Sequence, residues 1–147
     1  MQEVAIKIIN TSGNSLPEYA TNGSAGLDLR ANLEAPIVLQ PLERAMIPTG
    51  IFIEIPLGFE AQVRPRSGLA INHGITCLNS PGTVDSDYRG ELKVILINLS
   101  KQGYSVRNGE RIAQIVISKV EKANWIPVIE LQSSTRGDGG FGHTGKL

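Results

Sequence analysis

Five short segments of the sequence combine glycine with polar or charged side chains, the residue types that bind small anions and activate water. The segment RPRSGLA, at 64–70, places an arginine and a serine directly before a glycine. A guanidinium, a hydroxyl and the backbone N–H groups that open a helix together suit a phosphate group. The alternative for Arg66 and Ser67 is a capped helix with a surface arginine. The other segments are SAGLDLRA (24–31), NSPGTVDSDYRG (79–90), GERIAQ (109–114) and RGDGGFGHTG (136–145).

Carboxylates in two of these segments are candidates for acid–base chemistry or metal binding. Asp85 and Asp87 are two residues apart, so on a strand both would face the same way and could bind a metal, or one could act as a base. A solvated turn is the alternative for this pair. Asp28 lies among small and apolar neighbours and needs a partner, either a hydrated metal or an arginine such as Arg30.

The segment GERIAQ offers Arg111 and Gln114 as further polar ligands. The alternative is a turn followed by a strand whose arginine makes an ordinary salt bridge. The sequence pattern leaves both interpretations open.

Ordinary packing does not explain the composition of the C-terminal tail. Residues 137–145 contain five glycines and one large aromatic, Phe141. Ordering ten residues costs on the order of 10 kcal/mol of backbone entropy, whereas burying one phenylalanine returns ~2–3 kcal/mol. We therefore expect residues 136–147 to be mobile alone and to close as a lid, with Arg136 and Thr144 on an anion and Phe141 on a flat ring. A frayed terminus is the alternative.

Short strands are the elements that must position these segments. Apolar residues recur with period two in AIKII (5–9), IFIEIP (51–56) and RIAQIVISKVE (111–121). ELKVILINL, at 91–99, is apolar on both faces, which predicts a strand buried on both sides. One short helix is expected at 67–74, with Ser67 as its N-cap and Gly74 at its end. The pattern predicts an all-β sandwich, jelly roll or barrel in a single domain over 1–147.

Composition narrows the class of protein and its compartment. The 14 basic residues balance 14 acidic ones, which argues against a protein that coats nucleic acid. A single cysteine, Cys77, allows no intrachain disulfide and no cysteine cage for a metal. The chain opens with charged residues and has no long apolar run. We therefore expect no signal peptide, no membrane span and a cytoplasmic location.

Taken in order, the five segments resemble the five motifs of the trimeric dUTP diphosphatases (dUTPases), and the resemblance extends from LPEYAT (16–21) to the tail. The family implies a jelly-roll-like β-barrel with one short helix and a flexible glycine-rich tail. It also implies a homotrimer whose sites are shared between subunits and closed by the tail. The implied reaction is hydrolysis of dUTP to dUMP and diphosphate by water attack on the α-phosphate. This reaction keeps uracil out of DNA and supplies dUMP for thymidylate synthesis.

The resemblance also implies how phosphates and water are handled. Asp85 is the implied general base that takes a proton from the attacking water. The implied cofactor is Mg²⁺, held mainly by the substrate phosphates and reached by Asp28 through bound water. The implied phosphate ligands are Arg66, Ser67, Gly68 and Gln114.

The base and the sugar are implied to bind at the segment 79–90. Tyr88 is expected to pack under the deoxyribose and to leave no room for a 2′-hydroxyl, while Lys93 is expected to line the same pocket. The residues expected to read the uracil edge are Asn79, Gly82, Thr83 and Val84.

The tail has implied contacts of its own. Arg136 and Thr144 are expected to hold the γ-phosphate, and Phe141, followed by Gly142, is expected to stack on the uracil.

Two other functions are compatible with the same fold. One is a dCTP deaminase relative, which would release ammonia from dCTP. The other is a non-catalytic, nucleotide-responsive binding or regulatory protein, which would tolerate loss of the base or of the tail.

Overall fold

Short β-strands make up most of the secondary structure in the computed structural model, which describes residues 3–146. The single helix in these residues, α1, spans Ser67–His73. The strands are β1 (Lys7–Asn10), β2 (Gly26–Arg30), β3 (Ile37–Leu39), β4 (Arg44–Pro48), β5 (Ile51–Glu54), β6 (Phe59–Arg64), β7 (Ile75–Cys77), β8 (Gly82–Val84), β9 (Lys93–Asn98), β10 (Tyr104–Val106) and β11 (Arg111–Lys119). The prediction of an all-β fold with one short helix is confirmed.

Antiparallel pairing joins these strands into two larger sheets and two pairs. One sheet has the order β2-β11-β6-β8, the other has the order β4-β9-β7, and the pairs are β1-β5 and β10-β3. The longest strand, β11, lies inside the four-stranded sheet, between β2 and β6. Residues far apart in sequence, on β2, β6 and β11, therefore become neighbours on one sheet.

The alternating pattern of β9 produces one buried face and one partly covered face. Leu92, Val94 and Leu96 are buried in the core. Ile95 and Ile97 on the other face are only half-buried, and Leu99 is 58% exposed. The prediction of burial on both faces was wrong for the single chain, because β4 and β7 pair with the edges of β9 and leave this face only partly covered.

The helix begins one residue earlier than the sequence predicts. Arg66 is the N-cap, with φ −94° and ψ 130°, and it makes no side-chain capping bond. Ser67 is the first helical residue, so its prediction as N-cap was wrong: the extended backbone from β6 continues through Arg66. Gly74 ends the helix as predicted, at φ 65°, where its N–H donates to the Ala70 carbonyl.

The chain after β11 leaves the sheets. Residues 120–135, called the C-terminal arm below, have no helix or strand and are exposed along their whole length. The tail that follows forms turns. No helix among residues 3–146 is long and apolar enough to cross a membrane. The large apolar side chains that the arm exposes are Val120, Trp125, Ile126, Val128, Ile129 and Leu131.

Candidate active site

Asp28 lies between two arginines where β2, β11 and the start of α1 meet. Its Oδ1 accepts a hydrogen bond from Arg66 Nε at 3.0 Å, and its Oδ2 accepts one from Arg111 Nη1 at 3.2 Å. The Asp28 side chain is 27% exposed, so both carboxylate oxygens are satisfied in a partly dry environment. Arg30 was the wrong partner, because it donates to the Gly109 carbonyl at 2.8 Å instead.

Strand β11 brings Gln114 into the same group. Gln114 is the cross-strand neighbour of Asp28 on one side and of Arg64 on the other. Its Nε2 donates to the Pro65 carbonyl at 3.1 Å, which places the amide beside the residue that precedes Arg66. The group is closed by a long contact of 3.4 Å from Arg66 Nη1 to the Arg111 carbonyl. We call Asp28, Arg66, Arg111 and Gln114 the arginine–carboxylate cluster.

Ser67 and Gly68 lie at the edge of this cluster, in the first turn of α1. Both are exposed. First-turn N–H groups of a helix have no intrahelical acceptor. A Cβ built on Gly68 would meet no atom within 4 Å, so the space over this turn is open to a ligand.

The predicted base-reading hairpin connects the two larger sheets. It runs from β7 through a cis Ser80–Pro81 bond into β8. Strand β8 forms an edge of the four-stranded sheet and pairs with β6, the strand that leads to Arg66. Gly82 and Val84 are buried, whereas Thr83 and Asn79 are exposed. Strand β8 thus lies one strand away from β11. Its first residue, Gly82, pairs with Val63 near the arginine–carboxylate cluster, and its last, Val84, pairs with Ala61 farther along β6.

The predicted general base lies just beyond this hairpin. Because β8 ends at Val84, Asp85 and Asp87 belong to a turn and do not share a strand face, so the turn is the alternative that the structure supports. The turn is closed by the Tyr88 N–H, which donates to the Asp85 carbonyl at 3.1 Å. Asp85 is exposed, and its carboxylate makes no hydrogen bond or ion pair with another residue of 3–146.

Tyr88 is fixed at both of its ends. Its hydroxyl donates to the Glu91 carbonyl at 2.9 Å, and its backbone N–H is held by the turn described above. The residue is still 45% exposed, so part of it is accessible to a ligand.

The described carboxylates do not form a metal site by themselves. No group of three or more His, Cys, Asp or Glu side chains within residues 3–146 is arranged to hold a metal ion. Asp28 is the one carboxylate in the arginine–carboxylate cluster. A hard cation in this place would therefore need most of its oxygen ligands from a phosphorylated substrate and from water.

Some predicted ligands are not brought to the cluster within one chain. Lys93 is exposed on β9, in the other large sheet, and makes no hydrogen bond or ion pair with a described residue. Arg136 Nε donates to the Gly139 carbonyl at 2.7 Å, inside the tail itself. Phe141 is fully exposed, and Gly142 and Thr144 lie in the same exposed turns. Leu147, the last residue of the predicted lid, lies outside the described residues.

Sequence reasoning did not identify two of the contacts that organise the site. Arg111 was interpreted as a polar ligand or as one arm of an ordinary salt bridge, and its partner, Asp28, became clear only when β11 paired with β2. Glu91 was not considered: its Oε1 accepts the Gly50 N–H at 2.8 Å, while its carbonyl accepts from Tyr88. The glutamate at the end of GTVDSDYRGE was the available signal for this second residue.

The strand arrangement and the arginine–carboxylate cluster define an all-β protein with a site suited to an anionic ligand. A sequence model of the family described as dUTPase matches residues 12–145. The match covers most of the chain, so the chain belongs to the dUTPase family. The predicted jelly-roll fold is confirmed by the solved structures that the chain resembles.

Three comparisons illustrate this kinship. The deoxyuridine 5′-triphosphate nucleotidohydrolase of Fusobacterium nucleatum is 58% identical over 146 residues, which are 99% of this chain and 100% of that protein. The dUTPase of Staphylococcus bacteriophage 80alpha with dUpNHpp is 26% identical, with a TM-score of 0.86 over 97% of this chain and 99% of that one. A mutant dUTPase from phage phi11 of S. aureus, described with a structural Mg(II) ion, is 22% identical with a TM-score of 0.79 over 88% of this chain and 100% of that one.

Proposed function

We propose that this protein hydrolyses dUTP to dUMP and diphosphate, by attack of water on the α-phosphate. The observation that carries the proposal is the arginine–carboxylate cluster, placed one strand away from a hairpin that ends at an unpaired carboxylate, Asp85. The cluster supplies cationic groups for phosphates, and Asp85, which follows the end of β8 that pairs with Ala61, supplies a base for water. The reaction would keep uracil out of DNA and supply dUMP for thymidylate synthesis.

Asp85 acts as the general base in this proposal. An exposed carboxylate without an internal partner is available to orient a water molecule and accept its proton. Because the Asp85 backbone is fixed by the turn to Tyr88, the carboxylate has a defined position next to the predicted sugar site. Its proton leaves with solvent after the dUMP product forms.

Residues at the start of α1 and on β11 would bind the phosphates. Arg66 presents a guanidinium whose orientation is fixed by Asp28, and Gln114 adds an amide beside it. Ser67 and Gly68 contribute a hydroxyl and open backbone N–H groups. Together these groups offset the charge that develops on the phosphates.

Mg²⁺ fits the residues present, because a single carboxylate beside a phosphate site suits a cation that keeps several waters. Asp28 would reach the ion through a bound water, and the substrate phosphates would supply the remaining oxygens. When bound, the ion would neutralise charge on the leaving diphosphate.

The hairpin would recognise the base, and Tyr88 would recognise the sugar. Asn79 and the backbone of Gly82, Thr83 and Val84 would read the donor–acceptor pattern of uracil. The ring of Tyr88 would pack under the deoxyribose, where a 2′-hydroxyl would collide with it. Lys93 would line the outer side of the same pocket.

The protein is proposed to act as a homotrimer with sites shared between subunits. The exposed apolar side chains of the C-terminal arm are too many for a stable surface of a lone chain. An open apolar cleft of about 1110 Å³ lies between the β1–β5 pair and the four-stranded sheet, lined by side chains such as Ile8, Phe59 and Ile117. An arm from another copy would cover such a surface, and this supports assembly.

The tail, 136–147, is proposed to close over a site formed by other subunits. In the single chain its described part, 136–146, forms turns, and Phe141 is fully exposed to solvent. Ligand contacts would supply the free energy that orders it: Arg136 and Thr144 on the γ-phosphate, and Phe141 with Gly142 on the uracil. The chain would thus be one domain with a mobile lid, and its free, buried Cys77 suits the reducing cytoplasm.

Incubation of the purified protein and Mg²⁺ with dUTP, dCTP, dTTP and UTP in parallel tests this function. Selective conversion of dUTP to dUMP and diphosphate is the expected result. Ammonia release from dCTP would indicate a deaminase instead. Tight dUTP binding without turnover would indicate a nucleotide-responsive binding protein, and attack on all four nucleotides would contradict the roles given to Asn79 and Tyr88.

A further inference from the structure

Gly90 lies directly against the ring of Tyr88. A Cβ built on Gly90 would be 2.5 Å from Tyr88 Cζ and 2.9 Å from Cε2, and it would also overlap the Tyr88 hydroxyl oxygen. Ordinary van der Waals contact between carbon atoms begins near ~3.5 Å. The φ of Gly90 lies outside the left-handed region, so its backbone does not require glycine. The missing side chain provides space for the ring.

The ring cannot easily retreat from a side chain at position 90, because both ends of the 88–91 segment are anchored. The Tyr88 hydroxyl donates to the Glu91 carbonyl at 2.9 Å, and the Glu91 carboxylate accepts the Gly50 N–H at 2.8 Å. The next residue, Leu92, donates its N–H to the Ile51 carbonyl at 2.8 Å. A shift of the ring must therefore break its hydrogen bond to a strongly anchored backbone.

The anchor itself is part of the core. Thr49 is 1% exposed, and its hydroxyl donates to the Leu92 carbonyl at 2.6 Å. The buried turn between β4 and β5 thus fixes the backbone to which the Tyr88 hydroxyl is hydrogen-bonded. Because Gly90 has no side chain, it leaves a recess that the Tyr88 ring occupies.

We propose that Gly90 is a positioning residue for sugar discrimination: it seats the Tyr88 ring where that ring excludes a 2′-hydroxyl. The inference rests on the proposed function, in which Tyr88 packs under the deoxyribose. Gly90 touches no substrate and acts only through the ring. Any side chain at position 90 displaces the ring and opens space at the 2′ carbon.

The test compares kcat/KM for dUTP with kcat/KM for UTP in wild type, Gly90→Ala, Tyr88→Ala and the double variant. Gly90→Ala is expected to lower the dUTP-to-UTP ratio by at least about tenfold. The double variant should match Tyr88→Ala, because alanine at position 90 has no ring left to displace. Gly23→Ala is the matched control, because a Cβ there meets nothing within 4 Å.

Three outcomes would overturn the inference, and they differ from one another. An unchanged ratio in Gly90→Ala, with a lowered ratio in Tyr88→Ala, would show that the recess does not position the ring. Additive effects in the double variant would show that Gly90 acts independently of Tyr88. A wild-type ratio in Tyr88→Ala would remove the sugar role of Tyr88 itself, and with it the basis of the inference.

If Gly90→Ala folds poorly, its thermal unfolding provides a second test of the inference. The steric account predicts that Gly90→Ala lowers Tm in the wild-type background but not in the Tyr88→Ala background. An equal loss of Tm in both backgrounds would place the conflict in the backbone and contradict the role as a seat for the ring.

Discussion

Asp28 and Arg66 form a hydrogen-bonded ion pair, with 3.0 Å between Oδ1 and Nε and 27% of each side chain exposed. The pair joins the middle of β2 to the residue that caps α1, although the two residues are 38 positions apart. An arginine held in this way keeps its remaining N–H donors directed outwards at fixed angles. In the proposed phosphate site, Asp28 would therefore orient Arg66, in addition to any contact with Mg²⁺.

Arg111 is expected to strengthen this arrangement from the other side of Asp28. Replacing it, as Arg111→Ala, frees one carboxylate oxygen and lets the Asp28–Arg66 pair rotate. We expect kcat/KM for dUTP to fall roughly tenfold or more, with Tm nearly unchanged because the salt bridge is half-exposed. Arg44→Ala, on the other large sheet, is the control. Equal activities of the two variants would contradict a positioning role for Arg111.

The tail makes a separate prediction. Deletion of residues 136–147 should lower kcat by on the order of a hundredfold or more, because it removes the proposed γ-phosphate ligand Arg136. The proposed trimer and its Tm should survive, since the hydrogen bonds of the described tail stay within it, apart from those of the Gly137 N–H to Ser134. Phe141→Ala alone should raise KM through lost stacking. Loss of the folded oligomer on deletion would make the tail structural, and unchanged kinetics of Phe141→Ala would remove that residue from the lid.

The C-terminal arm suggests a substitution that would dissociate the proposed trimer. A charge placed on an apolar side chain that is buried only between copies should dissociate the assembly. Ile129→Asp is therefore expected to shift the protein toward monomer in analytical ultracentrifugation and to abolish turnover. Leu57→Asp is the matched control, because Leu57 is similarly apolar and exposed but lies in the turn between β5 and β6. Intact trimers of Ile129→Asp would contradict the role of the arm.

We expect the buried thiol of Cys77 to lower the free energy of unfolding at alkaline pH. Burial raises the pKa of its thiol from the usual 9.0 to about 11. Above pH 9 the unfolded chain loses this proton while the folded chain keeps it. The thiol's contribution to the free energy of unfolding is therefore fully present below the pKa of the unfolded state, and it is lost as the pH rises toward the pKa of the folded state. The wild type should lose about 1 kcal/mol more than Cys77→Ala between about pH 9 and pH 10.

Urea unfolding at the two pH values measures this difference directly. Burial also raises the pKa of Tyr104, to about 12, but that contribution is common to both proteins and cancels. Parallel pH profiles of wild type and Cys77→Ala would contradict the prediction for the thiol.

The local fold was largely predictable because its signals are local. Period-two alternation identified β5, β9 and β11, and a glycine that tolerates φ 65° identified the end of α1. Local rules did not predict which residue caps the helix, since the course of β6 decides that Arg66 remains extended. They also overestimated the cover on Ile95 and Ile97, because burial of an outer face depends on neighbours that a strand pattern does not specify.

The candidate site was predictable in its residue types but not in its connections. The sequence identified Asp28 as a carboxylate in need of a partner. The partners came from positions 66 and 111, which only the pairing of β11 with β2 and with β6 brings close. The exposure of Phe141 and of the C-terminal arm was likewise beyond any periodic pattern, because these segments lie outside the helices and strands that such patterns describe.

The most direct test of the account is the turnover and nucleotide binding of Asp85→Asn, measured on the same preparation. The substitution keeps the size and the turn but removes the group that accepts the proton of the attacking water. We expect dUTP hydrolysis to be nearly abolished while dUpNHpp still binds, with Asp87→Asn as an active control two residues away. Substantial remaining turnover in Asp85→Asn would contradict the proposed mechanism.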